Sequence, residues 1–277
     1  MDWNIVYYLL YGLISGLGEL LPVSSLAHGY LIQELTQFDA RQPALMLAIH
    51  FGCFLAVGIR YFRKIAHIRR ETRIASLPQN KRKRQPDMVA VLDGRVLTAG
   101  LIPMVLFVAF SVFFYKKIAT LPLLCIMFLL GGIVLYVPQY LPGANKDSRH
   151  LSRKDSLILG LCNGLGLIPG VSRIGTVISL GLVKGCDRGY ILDMAMLWSL
   201  PMLLGLMIVD GILLMTGAAV METAMFIYCL VASVAAFGGA WLSMMIMRYL
   251  SVKSNFFSFA YFSWGLAFFS FLVYLMI

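Results

Sequence analysis

Six runs of apolar residues, at about 42–62, 96–114, 119–141, 190–216, 219–247 and 255–277, dominate this chain. Each is near or above the ~20 residues that a helix needs to cross the hydrocarbon of a bilayer. Of the 277 residues, 60% are hydrophobic and 13% charged, whereas a soluble domain carries about 25% charged residues. A single soluble core of this size has no room for so much apolar surface. The chain is therefore read as an all-α polytopic membrane protein with about six transmembrane spans.

The formal charge of +10 does not point to nucleic acid, because the basic residues fall between the apolar runs. There they set orientation and meet anionic headgroups. Eleven Lys and Arg lie between Arg60 and Arg95, with the run Lys81, Arg82, Lys83 and Arg84 among them. The positive-inside rule makes that segment cytoplasmic. Threading onward places Lys146, Arg149, Arg153, Lys154, Arg248 and Lys253 on the same side. Arg41, Lys116 and Lys117 fall on the other, and both termini are expected outside. No Lys or Arg precedes Arg41, so the first apolar stretch lacks the positive start of a cleaved signal and is expected to remain in the protein. Cys53, Cys125, Cys162, Cys186 and Cys229 show neither CxxC nor Cys/His ligand spacing and are read as free thiols.

Two further apolar regions, about 5–32 and 156–184, are interrupted. The interruptions are Gly16, Gly18, Pro22, Ser24 and Ser25 in the first, and Gly164, Gly166, Pro169, Gly170 and Ser172 in the second. Irregular backbone at membrane depth survives only where protein or a wet cavity surrounds it, so both regions are expected to form re-entrant helical hairpins. They are also related. Shifted by 148 residues, GLISGLGELLPVSSLAH (12–28) lies over GLCNGLGLIPGVSRIGT (160–176), and seven of seventeen positions are identical. Two repeats follow, 1–148 and 149–277, each with one hairpin and three spans. Three is odd, so the repeat is expected to have inverted topology, with a binding site where the hairpins meet.

The polar residues of the hairpins are Ser15, Glu19, Ser24, Ser25 and His28, and Asn163, Ser172, Arg173, Thr176 and Ser179. Glu19 and Arg173 are the costly ones, at about 2.5–3.5 kcal/mol each at the centre of an isolated membrane helix. Two readings fit them. They pair and lock the hairpins together, or Arg173 grips an anionic oxygen, for which its planar fork suits phosphate. Ser24, Ser25 and His28 also admit two readings. A Ser at a helix start is commonly a cap. His28 lies one turn beyond either Ser, so a nucleophile with its base is the alternative. His50, inside a span, is a further candidate for the same cavity.

The run GELLPVSSLAH, followed at the proper separation by PGVSRIGTVIS, resembles the two signatures of the integral-membrane undecaprenyl-diphosphate phosphatases of the bacitracin-resistance type. The similarity covers nearly the whole chain. It implies six spans and four re-entrant helices in a bacterial inner membrane, with the site facing the periplasm. The implied reaction removes one phosphate from undecaprenyl diphosphate and recycles the lipid carrier of cell-wall assembly. By the same resemblance Glu19 is a metal or acid/base carboxylate, Ser25 the nucleophile, His28 an acid/base residue and Arg173 the phosphate-binding residue. Ser24, Gly170, Ser172, Thr176, Asn163 and Ser15 are expected around the substrate. The implied cofactor is Mg2+ or Ca2+ held at Glu19, and the implied substrate is the polyprenyl diphosphate; the bilayer is the expected partner, with a second copy of the chain as a further candidate.

The chain departs from the pattern in four places. Ser15 stands where the family has the first Glu of an ExxxE pair, Asn163 where it has Gln, Ile174 where it has the second Ser of SRS, and Val177 at its Thr position, with Thr176 one residue earlier. A divalent ion favours several oxygen ligands, so the metal half of the motif is depleted more than the phosphate half. A non-catalytic polyprenyl-phosphate carrier or flippase, and a phosphatase for another lipid phosphate, are the alternatives.

Overall fold

A computed structural model describes residues 3–36, 38–40, 42–117, 120–141, 145–216, 223–253 and 256–276. Ten α-helices are found among them: α1 (Trp3–Leu20), α2 (Ser25–Thr36), α3 (Pro43–Ser76), α4 (Met88–Lys117), α5 (Leu121–Tyr136), α6 (Arg153–Leu165), α7 (Arg173–Val183), α8 (Arg188–Thr216), α9 (Thr223–Lys253) and α10 (Ser258–Met276). No sheet forms among the described residues, where one isolated bridge joins Lys146 and Cys186. Helices α3, α4, α5, α8, α9 and α10 are long and apolar enough to cross a membrane. They turn large apolar side chains outward, among them Ile59, Phe62, Val105, Phe110, Ile208 and Phe268. Water does not tolerate so continuous an apolar belt, and lipid requires it. The chain is thus an all-α polytopic membrane protein.

The remaining four helices form two bent pairs. The α1 chain turns at 21–24 into α2, whose far end comes back to the start of α1. There Phe38 packs on Tyr7, Tyr8 and Tyr11, with ring centroids 6.2, 5.2 and 5.6 Å away. The α6 chain turns at 166–172 into α7, and Lys184 beyond its end reaches Asp155 at the start of α6, 2.6 Å apart. The helix pairing has a pattern. α1 lies along α9 as α6 lies along α4, and α5 lies along α10, so exchanging α1–α5 for α6–α10 carries each of these pairings onto another or onto itself.

The breaks are shorter than the spacing of Gly and Ser suggests. Gly16 and Gly18 stay inside α1 and Gly164 inside α6. Their role is close approach. A methyl at Gly12 would stand 2.3 Å from the carbonyl oxygen of Ala232 on α9, and one at Gly160 would stand 2.1 Å from that of Gly100 on α4. A methyl at Gly18 would meet Ser25 Cα at 3.2 Å, and one at Gly166 would meet Arg173 Cα at 2.3 Å. The identical glycines of the two halves therefore serve the same contacts: helix against helix, and the bend against its own second arm.

The basic segment between Arg60 and Arg95 is mostly helix. α3 continues in helix to Ser76 and α4 begins at Met88. The extension holds because its charges find partners. Glu71 takes both prongs of Arg84, at 2.8 and 2.5 Å, and the backbone N–H of Asp87 at 3.0 Å. A helix that leaves the lipid keeps its internal hydrogen bonds, so the end of the apolar run does not end it. Arg41 lies outside the described residues, and Lys116 and Lys117 end α4.

Gly12→Val is expected to overpack the α1–α9 contact by about 1–3 kcal/mol. The thermal midpoint of the purified protein in detergent should fall by several degrees. An unchanged midpoint would mean that the two backbones have room to part.

Candidate active site

The tips of the two bent pairs touch. The backbone N–H of Gly170, in the second tip, donates to Ser24 Oγ in the first at 3.0 Å. Gly170 has φ +95°, a conformation open to Gly at no steric cost. Ser172 caps α7 by accepting the N–H of Gly175 at 3.1 Å. Ser25 and Arg173 are the first residues of α2 and α7, and they occupy equivalent positions under the 148-residue shift. The unpaired N–H groups and positive dipole ends of two half-helices thus lie beside a serine and an arginine, a setting that favours anions.

Glu19, at the end of α1, joins them. Ser25 Oγ donates to Glu19 Oε1, and Arg173 Nη2 donates to Glu19 Oε2. Glu19 is 4% and Arg173 7% exposed, so the contact is a buried ion pair with a hydroxyl hydrogen-bonded to it. The hairpins are locked as one reading expected, yet the other reading keeps its basis. Arg173 Nη1 is buried without a partner, and so are both amide atoms of Asn163. Buried donors are nearly always satisfied, and Arg173, which lines the cleft, thus offers Nη1 to an anionic ligand. The cleft is small, with free space of about 10 Å³, and is lined by Gly18, Glu19, Ser24, Ser25, Arg173 and Leu206 among others.

Other candidates lie elsewhere. His28 does not engage Ser25. Its Nδ1 stands 2.6 Å from the carbonyl oxygen of Ser24, which can only accept, so Nδ1 carries the hydrogen. The ring stacks on Phe262, with centroids 5.8 Å apart. The carboxylate within reach of Ser25 is that of Glu19. Thr176 turns its hydroxyl onto the carbonyls of Ser172, Arg173 and Cys162 at 2.8–3.0 Å, back-bonding of a kind common for Thr inside helices. Ser15 is buried on α1 one turn before Glu19.

Mg2+ or Ca2+ does not fit this donor set. Both oxygens of Glu19 are engaged, Ser15 supplies no carboxylate, and among the described residues no three His, Cys, Asp or Glu gather into a ligand group. Sequence reasoning missed Asp210. It accepts from His50 Nδ1 at 2.7 Å, and both residues are buried. The available signal was an acid inside a 29-residue apolar helix, where an ionisable group marks a functional site by default.

The depth of the site follows from the helices. His50 is seven residues into α3 and Asp210 six before the end of α8, about 10 Å inside those ends at 1.5 Å per residue. These are the ends away from the basic segments. At the basic ends Asp193 gathers Lys64, Tyr61 and Arg248.

The model of the family described as bacitracin resistance protein BacA matches residues 8–269. The chain belongs to this family. It is similar to the undecaprenyl-diphosphatase of Halothermothrix orenii, 30% identical over 181 residues, which are 64% of this chain and 63% of that protein. It is similar also to those of a Nocardioides species, at 34% over 185 residues and 65% of each chain, and of Sinorhizobium medicae, at 32% over 191 residues, 68% and 67%. The chain thus spans somewhat under two thirds of the first two relatives' length. The family match includes both tips of the bent pairs.

Removing one partner of a buried ion pair costs about 3–5 kcal/mol, because the other charge is left bare. Glu19→Gln should therefore lower the thermal midpoint in detergent markedly. The double change Glu19→Gln with Arg173→Met should recover part of the loss. Equal midpoints for the single and double variants would show that the pair is not what holds the tips together.

Proposed function

We propose that the chain is a lipid phosphatase that hydrolyses undecaprenyl or another polyprenyl diphosphate to the monophosphate and inorganic phosphate, recycling the cell-wall lipid carrier. The observation that carries this reading is Ser25 donating to Glu19 beside the free prong of Arg173. A nucleophile, a base and a phosphate clamp stand together at two helix N-termini. The names of the relatives support the substrate class. So does the apolar belt, since a polyprenyl chain stays in lipid while its headgroup enters the cleft.

In the first step Ser25 Oγ attacks the terminal phosphorus and its proton passes to Glu19. The bond from that phosphorus to the bridging oxygen breaks, and the lipid monophosphate departs with the electron pair. Arg173 Nη1 and the N–H groups that open α2 and α7 hold the non-bridging oxygens, where charge gathers in the transition state. Water then attacks phosphorylated Ser25, and Glu19 returns the proton to Oγ as phosphate leaves. No step is routed through a divalent ion.

Phosphate release from polyprenyl diphosphate by the purified protein tests the reading. Wild type is expected to release phosphate in the presence of chelator. Ser25→Ala should lose the activity, and Arg173→Lys should lose most of it, because a point charge replaces a fork. No release by wild type under any metal condition, with tight binding of lipid phosphate, would favour a carrier instead.

We infer also that the halves 1–148 and 149–277 are inverted repeats with re-entrant hairpins, in a bacterial inner membrane with both termini outside. The eleven Lys and Arg of 60–95 support this orientation. A membrane-impermeant thiol reagent should label Asn80→Cys only from the cytoplasmic side and Asp39→Cys only from the outer side. Labelling of both from one side would overturn the orientation.

A further inference from the structure

One pair of side chains near the cleft has no part in the steps above. Asp210 lies one turn beyond Leu206 on α8, and Leu206 lines the cleft. His50 on α3 meets it at 2.7 Å, and the two are 2% and 4% exposed. The imidazole lies close enough to Glu19 and Arg173 to feel their charges. Cys53, one turn along α3, feels the same two charges. An ionised carboxylate only accepts, so Nδ1 carries the hydrogen and Nε2 of the neutral ring keeps its lone pair. That Nε2 is buried and has no partner.

The serine route described under the proposed function, on which this inference rests, leaves the attacking water without a base. Glu19 already holds the proton of Ser25 when water attacks the phosphoserine. It gives that proton back to Oγ as the Oγ–P bond breaks. A second base that takes a proton from the water as it attacks would speed this step, since Glu19 is protonated at that moment. We propose that His50, held by Asp210, is this base: Nε2 takes the proton of the water that hydrolyses phosphorylated Ser25. The water oxygen bonds to phosphorus, the Oγ–P bond breaks, and the imidazolium then returns its proton to solvent. Asp210 is a positioning residue. It fixes the ring tautomer and stabilises the imidazolium that forms, as a carboxylate behind a catalytic His does elsewhere. The charged groups that bear on the ring are Asp210 from α8, Glu19 from α1 and Arg173 from α7.

The test is rapid-quench kinetics on the purified full chain with polyprenyl diphosphate. Phosphate release is followed together with the mass of the peptide that carries Ser25. His50→Gln should turn over about 10²–10⁴-fold more slowly, with a phosphoryl group accumulating on Ser25, because the first step survives and the second stalls. Asp210→Asn should shift both readouts in the same direction by less, and it carries the test if His50→Gln does not elute as a folded, monodisperse species. A merely structural pair would lower stability without trapping phosphoserine. Variants that turn over like wild type, or that slow without phosphoserine, overturn the proposal. A wild type that releases no phosphate fails earlier and differently, because it overturns the phosphatase reading itself before any variant is compared.

Discussion

The buried ion pair between Glu19 and Arg173 is the interaction on which the rest of the arrangement depends. Two ions taken out of water gain from each other only when geometry and further hydrogen bonds compensate for lost solvation. Here the carboxylate has a guanidinium on one oxygen and a hydroxyl on the other. The guanidinium has one prong left over. The same contact thus ties the first tip to the second, orients Ser25 and leaves a cation facing the cleft. Its position also explains why both chains must bend at this depth. A continuous helix would bury its N–H groups in its own hydrogen bonds, while a half-helix that starts at Ser25 or Arg173 leaves them free.

Glycine makes room for the bends. The backbones of α1 and α9, and of α6 and α4, approach until no side chain fits between them, as is usual where helices associate in lipid without a hydrophobic drive. Gly18 and Gly166 then let the second arm of each bent pair lie against the first. Packing and chemistry are therefore coupled at these residues: a methyl that pushed Arg173 Cα outward would also move its guanidinium from Glu19.

Much of this was legible in the sequence, because the bilayer imposes length and periodicity that composition records directly. The six apolar runs match α3, α4, α5, α8, α9 and α10, and the Gly- and Ser-marked interruptions fall near both bends. Glu19, Ser25 and Arg173 drew attention because charge and hydroxyl are rare among apolar neighbours. What escaped was set by contacts across the fold. Nothing local says that Ser25 meets Glu19 rather than His28, which depends on how the bend aims the hydroxyl. Asp210 reads as an isolated acid until α3 brings His50 beside it. The helical continuation of α3 to Ser76 was hidden for a similar reason, since Glu71 finds Arg84 only once the chain has turned back.

Ser25 and Arg173 begin the two facing half-helices at positions related by the same 148-residue shift that superposes the glycines. The helix pairings interchange between the first five helices and the last five, and the side chains at the tips do not match. Two identical tips would bring either a pair of hydroxyls or a pair of cations to the cleft. One side chain of the pair had to become unlike its mate before the tips could divide the labour. Glu19, matched by Leu167 under the same shift, is a second difference, so a hydroxyl, a carboxylate and a cation meet here because two matched positions diverge.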